Sequence, residues 1–282
     1  MASNTVINTN IRGLNSHRNL TGVGNKLSKA SQRLSSGKKI NSAADDAAGL
    51  AISEKMRAQI KGLDMASKNA QDAVSLIQTA EGSMSEIESM LQRMRELVVQ
   101  AANDTNMTAD RGKIADELTQ LQDEITNMAG RTEFNEKVLA TGSYATQSLN
   151  FQIGANSNQK IDLTIKSLTA ESLGVDKIAL GVAAKTATYS SITTMIDTID
   201  TAISTVSDEV SKLGAKQNRL EYTDNNLKVS SENLSAAKSR IEDADMAKEM
   251  MNVTSANVLQ QAATSMLAQA NQSISQVTQL LG

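Results

Sequence analysis

Two long stripes of small and apolar residues constrain this chain more than any other feature. In both stripes the apolar positions alternate steps of three and four residues, the spacing of a helix that packs along its length against other helices. The first stripe consists of Leu63, Ala66, Ala70, Ala73, Ile77, Ala80, Met84, Ile87, Leu91, Met94, Val98 and Ala101. The second consists of Ile192, Ile196, Ile199, Ile203, Val206, Val210, Leu213, Leu220, Leu227 and Leu234. Each stripe predicts a rod of roughly 60 Å, and two rods from distant parts of one chain must fold back alongside each other.

The composition favours a structural protein over an enzyme with a pocket. Proline is absent, which suits uninterrupted helices because an interior proline costs about 3 kcal/mol. Cysteine is also absent, which excludes disulfides and thiolate chemistry. A net charge of −3 and an aromatic content of 2% give no indication of nucleic-acid binding. No apolar run approaches the roughly 20 residues that a membrane-spanning helix needs.

Residues that carry catalysis or bind metals are sparse and poorly placed. His17 is the single histidine, and a lone histidine on a polar helix is usually a solvated surface residue. Two carboxylate clusters, Asp45-Asp46 and the group of Glu242, Asp243 and Asp245, lack the spacing of a calcium loop. Both lie where a helix is expected to begin or break, which favours a role at helix termini. We therefore expect no enzymatic activity, no cofactor and no metal.

Weaker amphipathic segments flank the rods at both ends of the sequence. Their narrow apolar rows, here called the terminal seams, are Ile7, Ile11, Leu14, Leu20, Val23, Leu27 and Leu34, and then Leu259, Ala263, Met266, Ala270, Ile274, Val277 and Leu281. A helix with so narrow a seam buries too little apolar area alone to offset its ordering entropy. We expect both ends to be poorly ordered until a partner covers the seams.

Shorter elements are predicted between the rods. Five apolar positions at helical spacing predict a helix that ends at Gly130: Ile114, Leu118, Leu121, Ile125 and Met128. Alternation over residues 149–153 and 161–165 predicts one β-hairpin, at about 149–166. Residues 174–188 are expected to form an irregular link. The fold class is therefore mainly α, with long antiparallel helical rods in a coiled-coil-like bundle and one small β-hairpin region.

Polar residues continue the second stripe at steps of seven. They are Gln217, Asp224, Ser231 and Lys238. Single polar residues at seam positions can fix the register of helix packing. Alternatively, these four face solvent or a neighbouring subunit, and the spacing does not distinguish the two interpretations.

Seven short segments carry a further pattern: Val6-Ile7-Asn8-Thr9-Asn10, residues 34–41 and 45–52 (LSSGKKIN and DDAAGLAI), residues 91–97 (LQRMREL), 131–135 (RTEFN), 239–245 (SRIEDAD) and 266–272 (MLAQANQ). Together these segments resemble bacterial flagellin. They occur in the family's order and cover both ends and most of the middle. One departure is Glu136, which follows Phe134-Asn135 where the family usually has glycine.

The resemblance implies a structural subunit that polymerises with itself into the extracellular flagellar filament. It implies a short form without variable outer domains. The terminal segments, 1–40 and 241–282, would form an inner helical core, 41–56 a connector, and 57–180 with 181–240 an outer rod domain. The implied partners are the type III export apparatus, an export chaperone, the filament cap and the hook–filament junction proteins. Export by this route uses no cleaved signal peptide.

The resemblance also implies recognition by the vertebrate Toll-like receptor for flagellin. The matching positions are Gln92, Arg93, Leu97 and Glu117. Arg93 and Leu97 are one helical turn apart and lie off the seam of the first rod, so we expect both to face outward. An ordinary contact between subunits is the alternative, and both can hold at once.

Two other functions are compatible with part of the pattern. A hook–filament junction protein of the same family shares the terminal seams, and abundance in sheared filaments would distinguish it from a filament subunit. The cytoplasmic hairpin of a chemoreceptor-like protein is also long and poor in proline. The predicted β-hairpin stands where that hairpin would have a helical tip.

Overall fold

A computed structural model describes residues 9–184 and 188–281, without the side chains of residues 274 and 276–281. Within these ranges the chain forms seven helices: α1 (Ile11–Ser36), α2 (Ala47–Ala101), α3 (Thr108–Arg131), α4 (Ser143–Thr146), α5 (Ile178–Ala183), α6 (Tyr189–Glu242) and α7 (Met246–Leu281). Four short strands are β1 (Glu133–Phe134), β2 (Lys137–Val138), β3 (Leu149–Gln152) and β4 (Lys160–Leu163). The mainly α fold is confirmed. Ile7 lies outside the described residues, as do the side chains of Ile274, Val277 and Leu281.

The chain divides into two compact units. The first combines the two ends of the sequence, Met1–Ala58 and Asn233–Gly282, and the second is Gln59–Glu232. Helices α2 and α6 contribute residues to both units. The finer division at residues 40, 56, 180 and 240 stays a prediction.

The core of the second unit follows the two stripes. Every position of the first stripe from Ala66 to Ala101 is buried on α2. Of the second stripe, Ile192, Ile199, Val206, Leu213, Leu220 and Leu227 are buried on α6 in the same unit. Apolar burial on this scale, at about 25 cal/mol per Å², is the main stabilising contribution to the unit.

Interhelical hydrogen bonds show that α2 and α6 run antiparallel in the second unit. Asp64 of α2 accepts a 2.8 Å hydrogen bond from Ser231, whereas Arg95 donates a 2.7 Å bond to Asp200. The α6 partner number falls as the α2 number rises, which requires opposite chain directions. The antiparallel rods are confirmed.

Two of the four polar seam residues fix this register. Asp224 accepts a hydrogen bond from Ser67, and Ser231 donates to Asp64, so both connect α6 to α2. Gln217 and Lys238 instead interact with Glu221 and Glu242 of their own helix. The register interpretation therefore holds for Asp224 and Ser231.

The structure corrects three expectations about helix boundaries. Helix α2 begins at Ala47, inside the expected connector 41–56, because the Asp46 carboxylate accepts a 2.9 Å hydrogen bond from the Gly49 amide. Helix α3 continues past Gly130 to Arg131, and the Thr132 hydroxyl bonds to the Met128 carbonyl instead of a glycine cap. Helix α5 replaces part of the expected irregular link, since Ile178, Ala179 and Val182 are buried.

The predicted β-hairpin is present as β3 and β4, with Leu149 opposite Leu163 and Gln152 opposite Lys160. A second antiparallel pair, β1 and β2, was not expected from the sequence. Its two central turn residues, Asn135 and Glu136, have φ angles of 50° and 64°. Positive φ at both central residues is the geometry of a tight two-residue hairpin turn, which glycine adopts with least strain.

Replacing Glu136 by glycine is expected to stabilise the protein by about 1 kcal/mol, because a residue with a Cβ pays about 1–2 kcal/mol for left-handed φ and glycine's extra unfolded-state entropy offsets part of the gain. Denaturant unfolding of the full chain measures the difference. Asn135→Gly is the matched control and should gain less, since asparagine tolerates this conformation better. Equal gains at the two positions, or a loss at Glu136→Gly, would contradict the strain argument.

Candidate assembly surface

Helices α1 and α7 form a contacting pair in the first unit. The Asn10 side chain accepts a 2.7 Å hydrogen bond from the Gly13 amide, and so caps the start of α1. Helix α1 is capped at its end by Gly37, which has a φ angle of 69° and whose backbone N–H donates a hydrogen bond to the Arg33 carbonyl. The Asp245 carboxylate accepts bonds from the Ala247 and Lys248 amides at the start of α7. Both helices therefore have defined beginnings that local sequence encodes.

The face of α7 that α1 covers alternates alanines with larger side chains. Its partly or fully buried positions follow steps of three and four: Glu249, Val253, Ala256, Gln260, Ala263, Leu267 and Ala270. Alanines let the two helix backbones approach closely, but each removes little apolar surface from water. Of the C-terminal seam predicted from sequence, Ala263 and Ala270 belong to this face.

The other described residues of the terminal seams are more exposed. Leu20, Val23, Leu27 and Leu34 are half-buried on α1. Ile11 and Leu14 are 64% and 58% exposed, and Leu259 and Met266 are 52% and 67% exposed. Each of these four large apolar side chains therefore leaves more than half of its surface uncovered within the first unit.

Helix α7 also carries apolar side chains on its other sides. We call the exposed set, which is Met246, Met250, Met251, Val258, Leu259 and Met266, the free α7 surface. Met251 and Val258 are seven residues apart, as are Leu259 and Met266, so each pair lies along one line of the helix. A helix with large apolar side chains on more than one side is ordinarily covered by more than one neighbour.

Apolar burial between α1 and α7 contributes less free energy than ordering the two helices costs. The buried apolar side chains of these two helices, among the described residues, are those of Ala30, Ala256 and Ala270. Burying one methyl group contributes on the order of 1 kcal/mol, whereas ordering a backbone residue costs about 1–2 kcal/mol. The half-buried leucines of α1 add to the stabilisation from apolar burial, but this sum remains smaller than the entropy cost of ordering the two helices. The pair therefore depends on contacts beyond itself.

A compact joint holds the connectors beside this pair. Lys38 and Asp243 form an antiparallel bridge, in which the Lys39 amide donates to the Glu242 carbonyl at 2.7 Å and the Ala244 amide to the Gly37 carbonyl at 2.9 Å. These bonds tie the segment after α1 to the segment before α7.

The Glu242 carboxylate lies at the centre of this joint and is 1% exposed. Arg57 approaches it at 2.8 Å and Lys238 at 3.3 Å, and Lys38 also pairs with it. Burial alone would raise the pKa of Glu242, but the hydrogen bonds and charges of Lys38 and Lys238 outweigh it, so the pKa lies below its ordinary value. Glu242 is therefore ionised at neutral pH and binds three cations from three segments.

The other carboxylate cluster also acts at a helix terminus. Asp46 caps α2, and Asp45 accepts hydrogen bonds from the Asn41 and Ser42 amides. These backbone bonds, the Asn41 bond first, hold the pKa of Asp45 below its ordinary value although burial opposes them. The helix-terminal interpretation of both clusters agrees with this geometry.

Comparisons with known proteins agree with this architecture. The model of the bacterial flagellin N-terminal helical region matches residues 7–145, and that of the C-terminal helical region matches residues 196–281. The flagellin of Halalkalibacterium halodurans is 51% identical over 277 residues, which cover 98% of this chain and 99% of that protein. The chain belongs to the bacterial flagellin family. The flagellin of Bacillus subtilis is 48% identical over 301 residues, again with 98% and 99% coverage.

The alignments cover almost the full length of both relatives. This coverage agrees with a short form that lacks a large variable domain. The fold is shared more widely than the sequence. A putative flagellar hook-associated protein from Vibrio parahaemolyticus superposes with a TM-score of 0.61 at 15% identity, over 71% of this chain and 100% of that chain. At that identity the similarity concerns the fold alone.

The four residues that were expected to form a receptor-facing patch separate into two groups. Arg93 is exposed and donates to Glu117 at 2.8 Å and to Glu96 at 3.0 Å, and Gln92 is exposed beside it. Leu97, however, is 2% exposed, so the expectation that it faces outward is wrong. Leu97 shares the core with Ile114 and Leu118 of α3. The apolar face of α2 is therefore wider than the seam, because more than one element covers it.

Residues 9–184 and 188–281 contain no group of three or more His, Cys, Asp or Glu side chains that could hold a metal ion. None of the described helices is both long enough and apolar enough to cross a membrane.

Proposed function

We propose that this chain polymerises into the flagellar filament by coupled folding of its terminal helices with those of neighbouring copies. The observation that carries the proposal is the free α7 surface, together with exposed Ile11 and Leu14 on α1. A second copy fits this surface, because the same chain supplies a matching set of apolar helix faces.

The proposed order of events follows from the distribution of burial. The second unit has a large apolar core and folds first, as the rod. The α1–α7 pair is marginal alone and becomes stable when neighbouring pairs cover the free α7 surface. Burial of apolar surface against the neighbours then offsets the entropy cost of ordering the terminal helices. Until a neighbour binds, the apolar surface of these helices stays exposed.

The same weakness suits passage through a narrow export channel. We propose an extracellular location, reached through the flagellar type III apparatus with an export chaperone and without a cleaved signal peptide. Assembly would occur beneath the filament cap, on the hook–filament junction proteins. Marginal terminal helices support this proposal because they unfold at little cost.

Salt-induced assembly tests the polymerisation proposal. Sulfate strengthens apolar burial, so purified protein in ammonium sulfate should form filaments visible by electron microscopy. The double variant Leu259→Ser, Met266→Ser should raise the critical concentration at least about tenfold, or about 1.4 kcal/mol. The control Leu259→Met, Met266→Leu keeps apolar character and should assemble nearly as the wild type does. Absence of filaments from the wild type would refute the proposal. A junction protein would instead form a trace component of sheared filaments.

A second proposed role is recognition by the vertebrate Toll-like receptor for flagellin. The support is the exposed cluster of Gln92, Arg93 and Glu117, which the ion pair between α2 and α3 holds in place. Leu97 is not part of the proposed surface, since it is buried.

Arg93→Ala is expected to weaken receptor stimulation about tenfold, the usual order for removing a charged interface side chain that makes several hydrogen bonds. A reporter-cell dose–response with monomeric protein measures the effect. Arg95→Ala is the matched control, because Arg95 is exposed on the same helix but pairs with Asp200 of α6. Equal losses for the two variants would mean that the cluster has no particular role.

A further inference from the structure

Methionines dominate the free α7 surface. Met246, Met250, Met251 and Met266 are 46%, 51%, 66% and 67% exposed, so solvent reaches each side chain. Met84 and Met94, in the core of the second unit, are 0% exposed. The molecule therefore contains accessible methionines at the proposed interface and inaccessible ones in the core of the second unit.

Hydrogen peroxide can reach and oxidise the thioether sulfur of a methionine that is exposed to solvent. The sulfur attacks one peroxide oxygen, an S–O bond forms as the O–O bond breaks, and the second oxygen leaves as water after protonation. Sulfur loses two electrons and hydrogen peroxide is reduced, so the product is methionine sulfoxide. The sequence contains no cysteine that would consume the oxidant first.

Sulfoxide formation changes what this surface can bind. The side chain turns from a flexible apolar group into a polar one with a strong hydrogen-bond acceptor. Apolar helix neighbours offer that oxygen no donor, and a buried acceptor without a donor is unfavourable. The buried α1-facing positions of α7, such as Ala256 and Ala270, contain no sulfur, whereas Met266 borders a groove that Val23 of α1 also lines.

We propose that the methionines of the free α7 surface form a redox modification site, at which peroxide oxidation of the unassembled subunit blocks its entry into a filament. The inference rests on the proposed function, because the block acts on the surface that a second copy covers. Subunits already in a filament are protected, since the same cover that stabilises α7 excludes the oxidant. Methionine sulfoxide reductases with a dithiol reverse the change.

The test compares full-length wild type with two variants after limited hydrogen peroxide treatment. In the first variant Met246, Met250, Met251 and Met266 are each replaced by Leu. In the second, the matched control, the exposed methionines Met65 and Met107 are replaced by Leu. Critical concentration is measured by sedimentation in ammonium sulfate, and peptide mass spectrometry locates each sulfoxide.

Oxidised wild type and the oxidised control should show a critical concentration at least about tenfold above their untreated values, whereas the α7 variant should change less than about twofold. Sulfoxide should appear at Met251 and Met266 before Met84 and Met94. Treatment with methionine sulfoxide reductases and dithiothreitol should restore assembly of the oxidised wild type. In preformed filaments the α7 methionines should oxidise more slowly than in subunits.

Different failures have different meanings. Failure of the untreated wild type to assemble would refute the proposed function itself. Normal assembly of the untreated wild type, with no effect of sulfoxide at Met251 and Met266, would overturn the redox inference alone. Equal peroxide sensitivity of the α7 variant and the wild type would also overturn it, because the block would then arise elsewhere.

Discussion

Removing residues 259–282 should abolish filament formation and leave the second unit folded. The truncation removes Leu259 and Met266 of the free α7 surface. It also removes Ala263 and Ala270 of the face of α7 that α1 covers. It touches no residue of the buried core of the second unit, so the helical signal of that unit should persist. Sedimentation, electron microscopy and circular dichroism of the purified chain measure these outcomes.

A mixing experiment is the control for the truncation. Fluorescently labelled truncated chain, added to assembling wild type, should stay in the supernatant, whereas labelled full-length chain should enter the pellet. Filaments of the truncated chain alone, or its efficient incorporation, would show that the C-terminal helix is dispensable. Loss of the helical signal would instead show that the end supports the second unit, contrary to the division described above.

Glu242→Gln should loosen the joint between the connectors by about 2 kcal/mol, since a hydrogen bond to a charged group contributes about 1.5–3 kcal/mol. The amide of glutamine is neutral and cannot bind Lys38, Arg57 and Lys238 as the carboxylate does. The Lys39 and Ala244 amides, which donate across the bridge, report its opening. Their hydrogen exchange in the full-length protein should accelerate about 30-fold, the ratio that corresponds to 2 kcal/mol.

The joint should also respond to acid in a defined direction. Because the pKa of Glu242 is lower in the folded chain than in the unfolded one, ionised Glu242 stabilises the joint fully above about pH 5, just above the ordinary range for a glutamate. That stabilisation is lost as the pH falls through the lowered pKa. Glu232→Gln, at an exposed position of α6, is the control and should keep wild-type exchange and acid response. The absence of any difference between the two variants would contradict the role of Glu242.

The stripes on α2 and α6 could be predicted because their information is local. From Ala66 to Ala101 the periodicity alone identifies the buried face, and every one of those positions is buried. The β3–β4 hairpin was similarly visible from alternation. The turn at Asn135-Glu136 was not, since its backbone conformation disfavours the residue present at its second position.

Properties that depend on several elements at once were harder to predict. Leu97 lies off the seam of α2, and its burial depends on α3, which periodicity in α2 does not describe. Gly130 resembles a helix end, but the Thr132 hydroxyl supplies the cap two residues later. On α7, apolar residues on several sides left the choice of the α1-facing stripe open, because a single helix contains no information about which neighbour covers which side.

The pairing of α1 with α7 joins parts of the chain that are far apart, as the contact between Asn10 and Asn271 across 261 residues shows. Closing so long a loop is entropically unfavourable before other contacts form. A chain cleaved between α2 and α6 loses this covalent connection, and its two parts are then held together by non-covalent contacts such as the shared core and the hydrogen bonds between α2 and α6.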